Sequence, residues 1–198
     1  MPVAEMPSRS HDLMSRDDTA LLVVDVQEKL LPVIPHRESL VWNIRRLIDG
    51  AQLLGLPATA TEQYPQGLGK TAAVLAERLG KIPAKVMISC RECSDLLADL
   101  AERGRQKVLV VGIEAHVCVQ QTVLDLLSEG FRVYVAVDAV GSRHELDYRI
   151  AIQRMESAGA TLTTTEAALF EWCEVAGTPE FKQISRLVRE ELPVSAPS

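Results

Sequence analysis

Residues 106–127 carry the segment QKVLVVGIEAHVCVQQTVLDLL, and this segment sets the architecture of the chain. Its apolar run, residues 108–111, is typical of a strand buried on both faces of a parallel sheet. A turn follows at residues 112–117, and the residues after Cys118 have the apolar spacing of a helix. The segment therefore predicts a strand–turn–helix unit with a thiol at the start of the helix.

The same alternation of strand-like and helix-like segments runs through the rest of the chain. Strands are predicted at residues 20–25, 58–62, 85–89, 106–111, 131–138 and 160–164. Helices are predicted at residues 39–54, 71–79, 94–103, 118–129, 145–158 and 179–190, with another that opens at Thr165 or Glu166. This pattern, with right-handed crossovers, predicts an α/β fold: a three-layer α/β/α sandwich around a six-stranded, mostly parallel sheet in the Rossmann-like order 3-2-1-4-5-6. Residues 1–17 are expected to form an N-terminal arm, and residues 18–198 a single domain.

Composition narrows the functional class. The chain has 198 residues, of which 47% are hydrophobic and 24% charged, as expected for one soluble globular domain. A net charge of -6 argues against a nucleic-acid partner. No apolar run approaches the roughly 20 residues of a membrane span, and no signal peptide is recognisable, so a cytoplasmic protein is expected. Four cysteines do not indicate a disulfide framework in such a chain.

The predicted strand order brings an acid and a thiol together. In open parallel sheets, ligands bind beyond the carboxyl ends of the strands, where the strand order reverses. Strands 1 and 4 are neighbours at that point; strand 1 ends at Asp25, and the loop after strand 4 delivers Cys118. A thiol at a helix start also lies near unpaired N–H groups and the positive end of the helix dipole, which favour the thiolate. Asp25 as a turn cap and Cys118 as a small buried hydrophobe remain the alternatives.

Several motifs resemble those of the isochorismatase-like cysteine hydrolase family. The segments that carry the resemblance are residues 25–27 (DVQ), Lys85 and residues 112–118 (GIEAHVC). Residues 61–69 (TEQYPQGLG), 138–143 (DAVGSR) and 181–184 (FKQI) resemble the subgroup of isochorismatase-domain-containing proteins. The resemblance covers residues 18–190 and implies that residues 18–198 form one isochorismatase-like hydrolase domain.

This resemblance assigns roles to individual residues. It implies that Cys118 is the nucleophile, Asp25 the general base, and Lys85 the third member of a catalytic triad. It also implies a cis peptide bond between Ile113 and Glu114, and an oxyanion hole formed by the backbone N–H groups of Glu114 and Cys118. The expected activity is hydrolysis of a small amide, ester or related acyl substrate through a thioester. A catalytically silent binding or scaffold protein with the same fold is the alternative.

Departures from family relatives limit the chemistry further. Nicotinamidase-type relatives bind a metal through a motif after strand 2 that contains two histidines, and residues 62–69 contain none. We therefore expect no metal, no other cofactor and a substrate other than nicotinamide. Glu62, Tyr64 and His116 are expected to line the substrate pocket, and the chain is expected to form a homo-oligomer, a dimer or larger. The C-x-x-C pair Cys90 and Cys93 lacks further zinc ligands, so these two thiols are expected at the pocket rim or in packing.

Overall fold

The computed structural model describes residues 9–192, apart from the side chains of residues 96, 97 and 101. Its elements, in chain order, are β1 Thr19–Val24, α1 Arg37–Leu54, β2 Ala58–Gln63, α2 Pro65–Leu68, α3 Ala73–Ala76, β3 Ala84–Lys85, α4 Ser94–Glu102, β4 Lys107–Ile113, α5 Gln120–Ser128, β5 Arg132–Gly141, α6 Glu145–Ser157, β6 Thr161–Thr163, α7 Thr165–Cys173 and α8 Pro179–Val188.

All six strands pair in parallel, in the order β3-β2-β1-β4-β5-β6. This order and the flanking helices confirm the predicted sandwich, and the sheet is parallel throughout rather than mostly parallel. Strands β1 and β4 are buried at every residue because helices cover both faces of the sheet. One apolar core joins the sheet to α1, α7 and α8, and a second joins it to α4, α5 and α6.

Two predicted elements are shorter than expected. Residues 85–89 were predicted as a strand, but β3 ends at Lys85. The carbonyl oxygens of Met87 and Ile88 accept hydrogen bonds from the Lys85 ammonium group, at 3.3 and 2.8 Å, so this backbone turns toward that side chain. The helix predicted at residues 71–79 is reduced to α3.

The segment before β1 packs against α7. Residues 1–8 of the predicted N-terminal arm lie outside the described residues. Met14 is fully buried and its N–H donates to the Glu171 carboxylate at 2.8 Å, while Arg9 donates to the Glu171 carbonyl oxygen at 2.9 Å. Residues 9–17 are therefore tied to the domain.

The contact between β1 and β4 depends on a glycine. Val24 lies opposite Gly112, and a Cβ at Gly112 would lie 2.1 Å from the carbonyl oxygen of Val24. The φ of Gly112 is also +125°, a conformation that side chains oppose. Only glycine lets the two strands approach at the end where Asp25 and the loop to Cys118 begin.

Candidate active site

Asp25 lies immediately beyond β1 with both carboxylate oxygens engaged. Its Oδ2 accepts a hydrogen bond from Lys85 Nζ at 2.7 Å, and its Oδ1 accepts one from the Thr61 hydroxyl at 2.8 Å. The Asp25 N–H donates to the Thr61 carbonyl oxygen at 3.2 Å, and the residue has a φ of 52°. The carboxylate is fully buried and its orientation is fixed from two sides.

Lys85 is a buried cation with several acceptors. Besides Asp25, its ammonium group donates to Gln63 Oε1 at 2.7 Å and to the carbonyl oxygens of Met87 and Ile88. Burial alone would lower the pKa of Lys85, but the charge and the hydrogen bond of Asp25 outweigh it and raise that pKa. Lys85 is therefore a permanent positive charge beside Asp25.

Cys118 lies in a π-helical turn, Ala115–Val119, that connects β4 to α5. The helix was expected to begin at Cys118, but the Val119 N–H reaches back to the Glu114 carbonyl oxygen at 3.2 Å, which widens the first turn. Regular helix begins at Gln120. Cys118 is buried within the core that α5 shares with the sheet, with 6% of its surface exposed.

The expectation that this position favours a thiolate is wrong. Burial raises the pKa of the Cys118 thiol, and the neighbouring Asp25 carboxylate raises it further. Lys85 acts in the opposite direction and is outweighed. The structure thus brings Cys118, Asp25 and Lys85 within electrostatic range of one another, with the thiol protonated at neutral pH.

The turn before Cys118 contains the residues to which the resemblance gave backbone roles. The peptide bond between Ile113 and Glu114 is cis. The Glu114 carboxylate accepts hydrogen bonds from the backbone N–H and the guanidinium of Arg143, both at 3.0 Å.

The three predicted pocket residues lie in different settings. Glu62 is buried; burial would raise its pKa, but hydrogen bonds from Thr71 and Lys70 outweigh it and lower the pKa. Tyr64 is 54% exposed, and its N–H donates to the Lys85 carbonyl oxygen at 2.9 Å. His116 Nδ1 lies 3.0 Å from the Ser142 hydroxyl. Glu62 thus holds the loop after α2. Tyr64 directly follows Gln63, which contacts Lys85, and His116 lies two residues before Cys118.

Sequence reasoning missed three residues that surround the Asp25–Lys85 pair, namely Gln27, Gln63 and Thr61, and it expected Cys90 only at the pocket rim or in packing. Gln27 accepts from the Gln63 N–H at 2.8 Å and donates to the Gln63 carbonyl oxygen at 3.0 Å, which fixes the strand that presents Gln63 to Lys85. Thr61 and Cys90 follow on the other side of the carboxylate, with the Cys90 Sγ 3.4 Å from the Thr61 hydroxyl. Parallel pairing places Thr61 opposite Val24, so the end of β2 could have been searched for neighbours of Asp25.

Two absences apply to residues 9–192. No three His, Cys, Asp or Glu side chains in this range lie where they could hold a metal ion together. No helix in this range has both the length and the apolar composition to cross a membrane.

Comparison with known proteins identifies the family. The isochorismatase domain family matches residues 19–167. The isochorismatase domain-containing protein 1 of Salmo salar is 35% identical over 180 residues, which are 89% of this chain and 63% of the salmon protein. The chain therefore spans less than two thirds of that relative's length.

Solved structures show the same architecture. The MAR1 ribonuclease of Caenorhabditis elegans superposes with a TM-score of 0.85 at 40% identity, covering 94% of this chain and 98% of the worm protein. YcaC of Pseudomonas aeruginosa, solved with hexane-2,5-diol and covalent acrylamide, has a TM-score of 0.81 at 26% identity over 89% of this chain and 92% of its own. YcaC of Escherichia coli, described as an octameric hydrolase of unknown specificity, has a TM-score of 0.78 at 26% identity, with 85% of each chain covered. The chain belongs to the isochorismatase family and has its hydrolase fold.

Proposed function

We propose that this protein is a cysteine-dependent hydrolase that cleaves a small amide, ester or related acyl substrate. Cys118 is the nucleophile, Asp25 the general base and Lys85 the charge that holds them. The observation that carries this proposal is the ion pair between Lys85 and Asp25, whose side chains are both 0% exposed, within electrostatic range of a buried thiol. Lys and Asp side chains are almost never fully buried unless they are paired, and perturbed ionisable groups cluster where chemistry occurs.

Because Cys118 is protonated, the proposed reaction needs a general base, and Asp25 takes that role. A thiol with a raised pKa must lose its proton during attack, so a base is required beside it. The Asp25 oxygens each accept one strong hydrogen bond and keep a lone pair for a further proton. Lys85 stabilises both the carboxylate before the transfer and the thiolate that forms.

The proposed reaction has two halves. Asp25 takes the Cys118 proton, the thiolate forms a bond to the acyl carbon, and the leaving group departs with the proton from Asp25. Asp25 then takes a proton from water, and the hydroxide attacks the thioester carbon. The C–S bond breaks, Asp25 returns its proton to the Cys118 sulfur, and the carboxylic acid is released. The backbone N–H groups of Glu114 and Cys118 are proposed to hold the oxyanion.

The relatives' descriptions support a reactive nucleophile in this fold. Acrylamide is an electrophile that thiols add to, and the Pseudomonas aeruginosa relative carries it covalently. The Escherichia coli relative is described as a hydrolase. The worm relative is named a ribonuclease, so RNA belongs in a substrate panel, although the net charge of -6 favours a small molecule over a polyanion.

A substrate screen tests the proposal. Wild-type protein is assayed against small amides, esters and a short RNA, alongside Cys118→Ala and the matched variant Cys173→Ala. Cys173 is also a buried free thiol, but it lies on α7 in the opposite core. Hydrolysis that Cys118→Ala abolishes and Cys173→Ala retains is expected. Activity that persists in Cys118→Ala would contradict the proposal.

Assembly and location are proposed on the same basis. The Escherichia coli relative is an octamer, and we propose that this chain also forms a homo-oligomer. We also propose a cytoplasmic location, because four cysteines in a chain of this length do not indicate a disulfide framework. Light scattering at micromolar concentration should give a mass of at least two chains, and a monomer would contradict the oligomer.

A further inference from the structure

A second buried thiol, which the proposed reaction does not use, lies near the Asp25 carboxylate. The Sγ of Cys90, which is 0% exposed, lies 3.4 Å from the Thr61 hydroxyl oxygen. That hydroxyl lies 2.8 Å from Asp25 Oδ1. Cys90 is itself anchored, because its N–H donates to the Thr122 hydroxyl at 3.0 Å. The three side chains form a continuous row of close polar contacts.

The direction of each hydrogen bond in this row follows from counting protons. The Asp25 carboxylate, which is paired with the Lys85 ammonium group, can only accept. Thr61 has one hydroxyl proton and gives it to Asp25 Oδ1, so toward Cys90 its oxygen can only accept. Cys90 is therefore the donor. Burial and the charge of Asp25 raise the pKa of the Cys90 thiol to about 11, so it keeps this proton at neutral pH.

We propose that Thr61 and Cys90 are positioning residues for Asp25, acting through a directed chain from the Cys90 S–H to the Thr61 hydroxyl and from there to Asp25 Oδ1. The proposal rests on the proposed role of Asp25 as general base. The chain holds Oδ1 as Lys85 holds Oδ2, so the carboxylate plane is fixed. Thr61 and Lys85 both donate to the carboxylate, so both stabilise its charged form.

The test measures how the reactivity of Cys118 depends on pH. It requires no substrate. The titratable groups facing Asp25 are Lys85 from β3, Cys118 from the π-helical turn, and Cys90 and Cys93 from the segment before α4. Iodoacetamide alkylation is measured across pH, and peptide mass spectrometry assigns the label to Cys118. This assignment is needed because Cys90 also borders a cavity of about 380 Å³.

Thr61→Val is the first variant, since it removes the hydroxyl and keeps the shape. The acid midpoint is the pH at which the alkylation rate of Cys118 has fallen to half on the acid side. In Thr61→Val it is expected to rise by about one to two pH units, which is the effect of losing a hydrogen bond to a charged group. Thr61→Ser should restore the wild-type midpoint. Thr59→Val, two residues earlier on β2, is the matched control and should leave the midpoint unchanged. An unchanged midpoint in Thr61→Val would overturn the proposal.

Cys90→Ala tests the second link and does not depend on the folding of Thr61→Val. It should raise the midpoint by less than Thr61→Val does, because S–H is a weak donor. In the Thr61→Val background it should add nothing, since the link is already broken. Additive shifts, or no shift in Cys90→Ala alone, would overturn the role of Cys90. If only the hydrolase proposal failed, the protein would hydrolyse no substrate, but the variants would still shift the midpoint of Cys118 alkylation.

Discussion

Replacing Lys85 with methionine removes one member of the buried ion pair and keeps most of the side chain's volume. A separation of 2.7 Å gives an attraction of about 6 kcal/mol at an effective dielectric constant of about 20. Desolvation of the two ions opposes this attraction by several kcal/mol, so the pair is not a large net source of stability. Its deletion is costly for another reason: Asp25 would be left as an unpaired buried charge.

Lys85→Met is therefore expected to lower the free energy of unfolding by about 3 to 5 kcal/mol at pH 7. Urea denaturation measures this loss. The double variant Asp25→Asn/Lys85→Met should regain most of the loss because no charge is then buried alone.

Lys107→Met is the matched control. Lys107 is also buried and its ammonium group lies 2.7 Å from Asp18, but it lies at the opposite end of the sheet and Asp18 is 33% exposed. Its loss should cost less than that of Lys85 and leave Cys118 alkylation unchanged, whereas Lys85→Met should slow that alkylation. A loss below about 1 kcal/mol in Lys85→Met, or a double variant no more stable than Lys85→Met, would show that Lys85→Met does not leave a costly unpaired charge at Asp25.

Two further predictions concern stability. A thiol whose pKa is about 11 in the folded protein and 9.0 when unperturbed keeps its proton longer in the folded state, so the protein should lose stability as pH rises from about 9 to 11. Cys90→Ala should remove about 2 to 3 kcal/mol of that loss in reducing buffer, and an equal alkaline slope in both proteins would contradict it. Gly112→Ala should destabilise the fold by about 2 kcal/mol or more, because its Cβ would overlap the Val24 carbonyl oxygen. Gly80→Ala, where the Cβ meets open space, should be nearly neutral, and similar unfolding free energies for the two variants would exclude the overlap.

Features set by long apolar runs and strand order could be predicted from sequence. The residues of β1 and β4 are apolar on both faces, which is a signature of parallel strands covered by helices. Once β1 and β4 are neighbours, the ends that carry Asp25 and Cys118 must meet. The fold and the approximate position of the site follow from these two strands.

Features set by individual polar contacts could not be predicted. The end of β3 depends on the Lys85 ammonium group. The carbonyl oxygens of Met87 and Ile88 accept hydrogen bonds from it, so this backbone does not continue the sheet. The protonation of Cys118 depends on burial and on the charge of Asp25, which together outweigh the opposing effect of Lys85. Neither quantity is encoded in local spacing.

Thr61 and Cys90 illustrate the same limit. Thr61 belongs to a strand of ordinary composition, and Cys90 belongs to a C-x-x-C pair that was expected at the pocket rim or in packing, with no link to Asp25. Only the distances of 2.8 and 3.4 Å link them to Asp25.

If Cys118 attacks an acyl carbon with Asp25 as its base, the acyl group of an activated ester must pass through the Cys118 sulfur. Wild-type protein is mixed with 4-nitrophenyl acetate, the release of nitrophenolate is followed, and quenched samples are examined by peptide mass spectrometry. An acetyl group is expected to form and decay on the peptide that contains Cys118, to form much more slowly in Asp25→Asn, and to be absent in Cys118→Ala. Equal hydrolysis by wild type and Cys118→Ala, with no acetyl group on that peptide, would contradict the account.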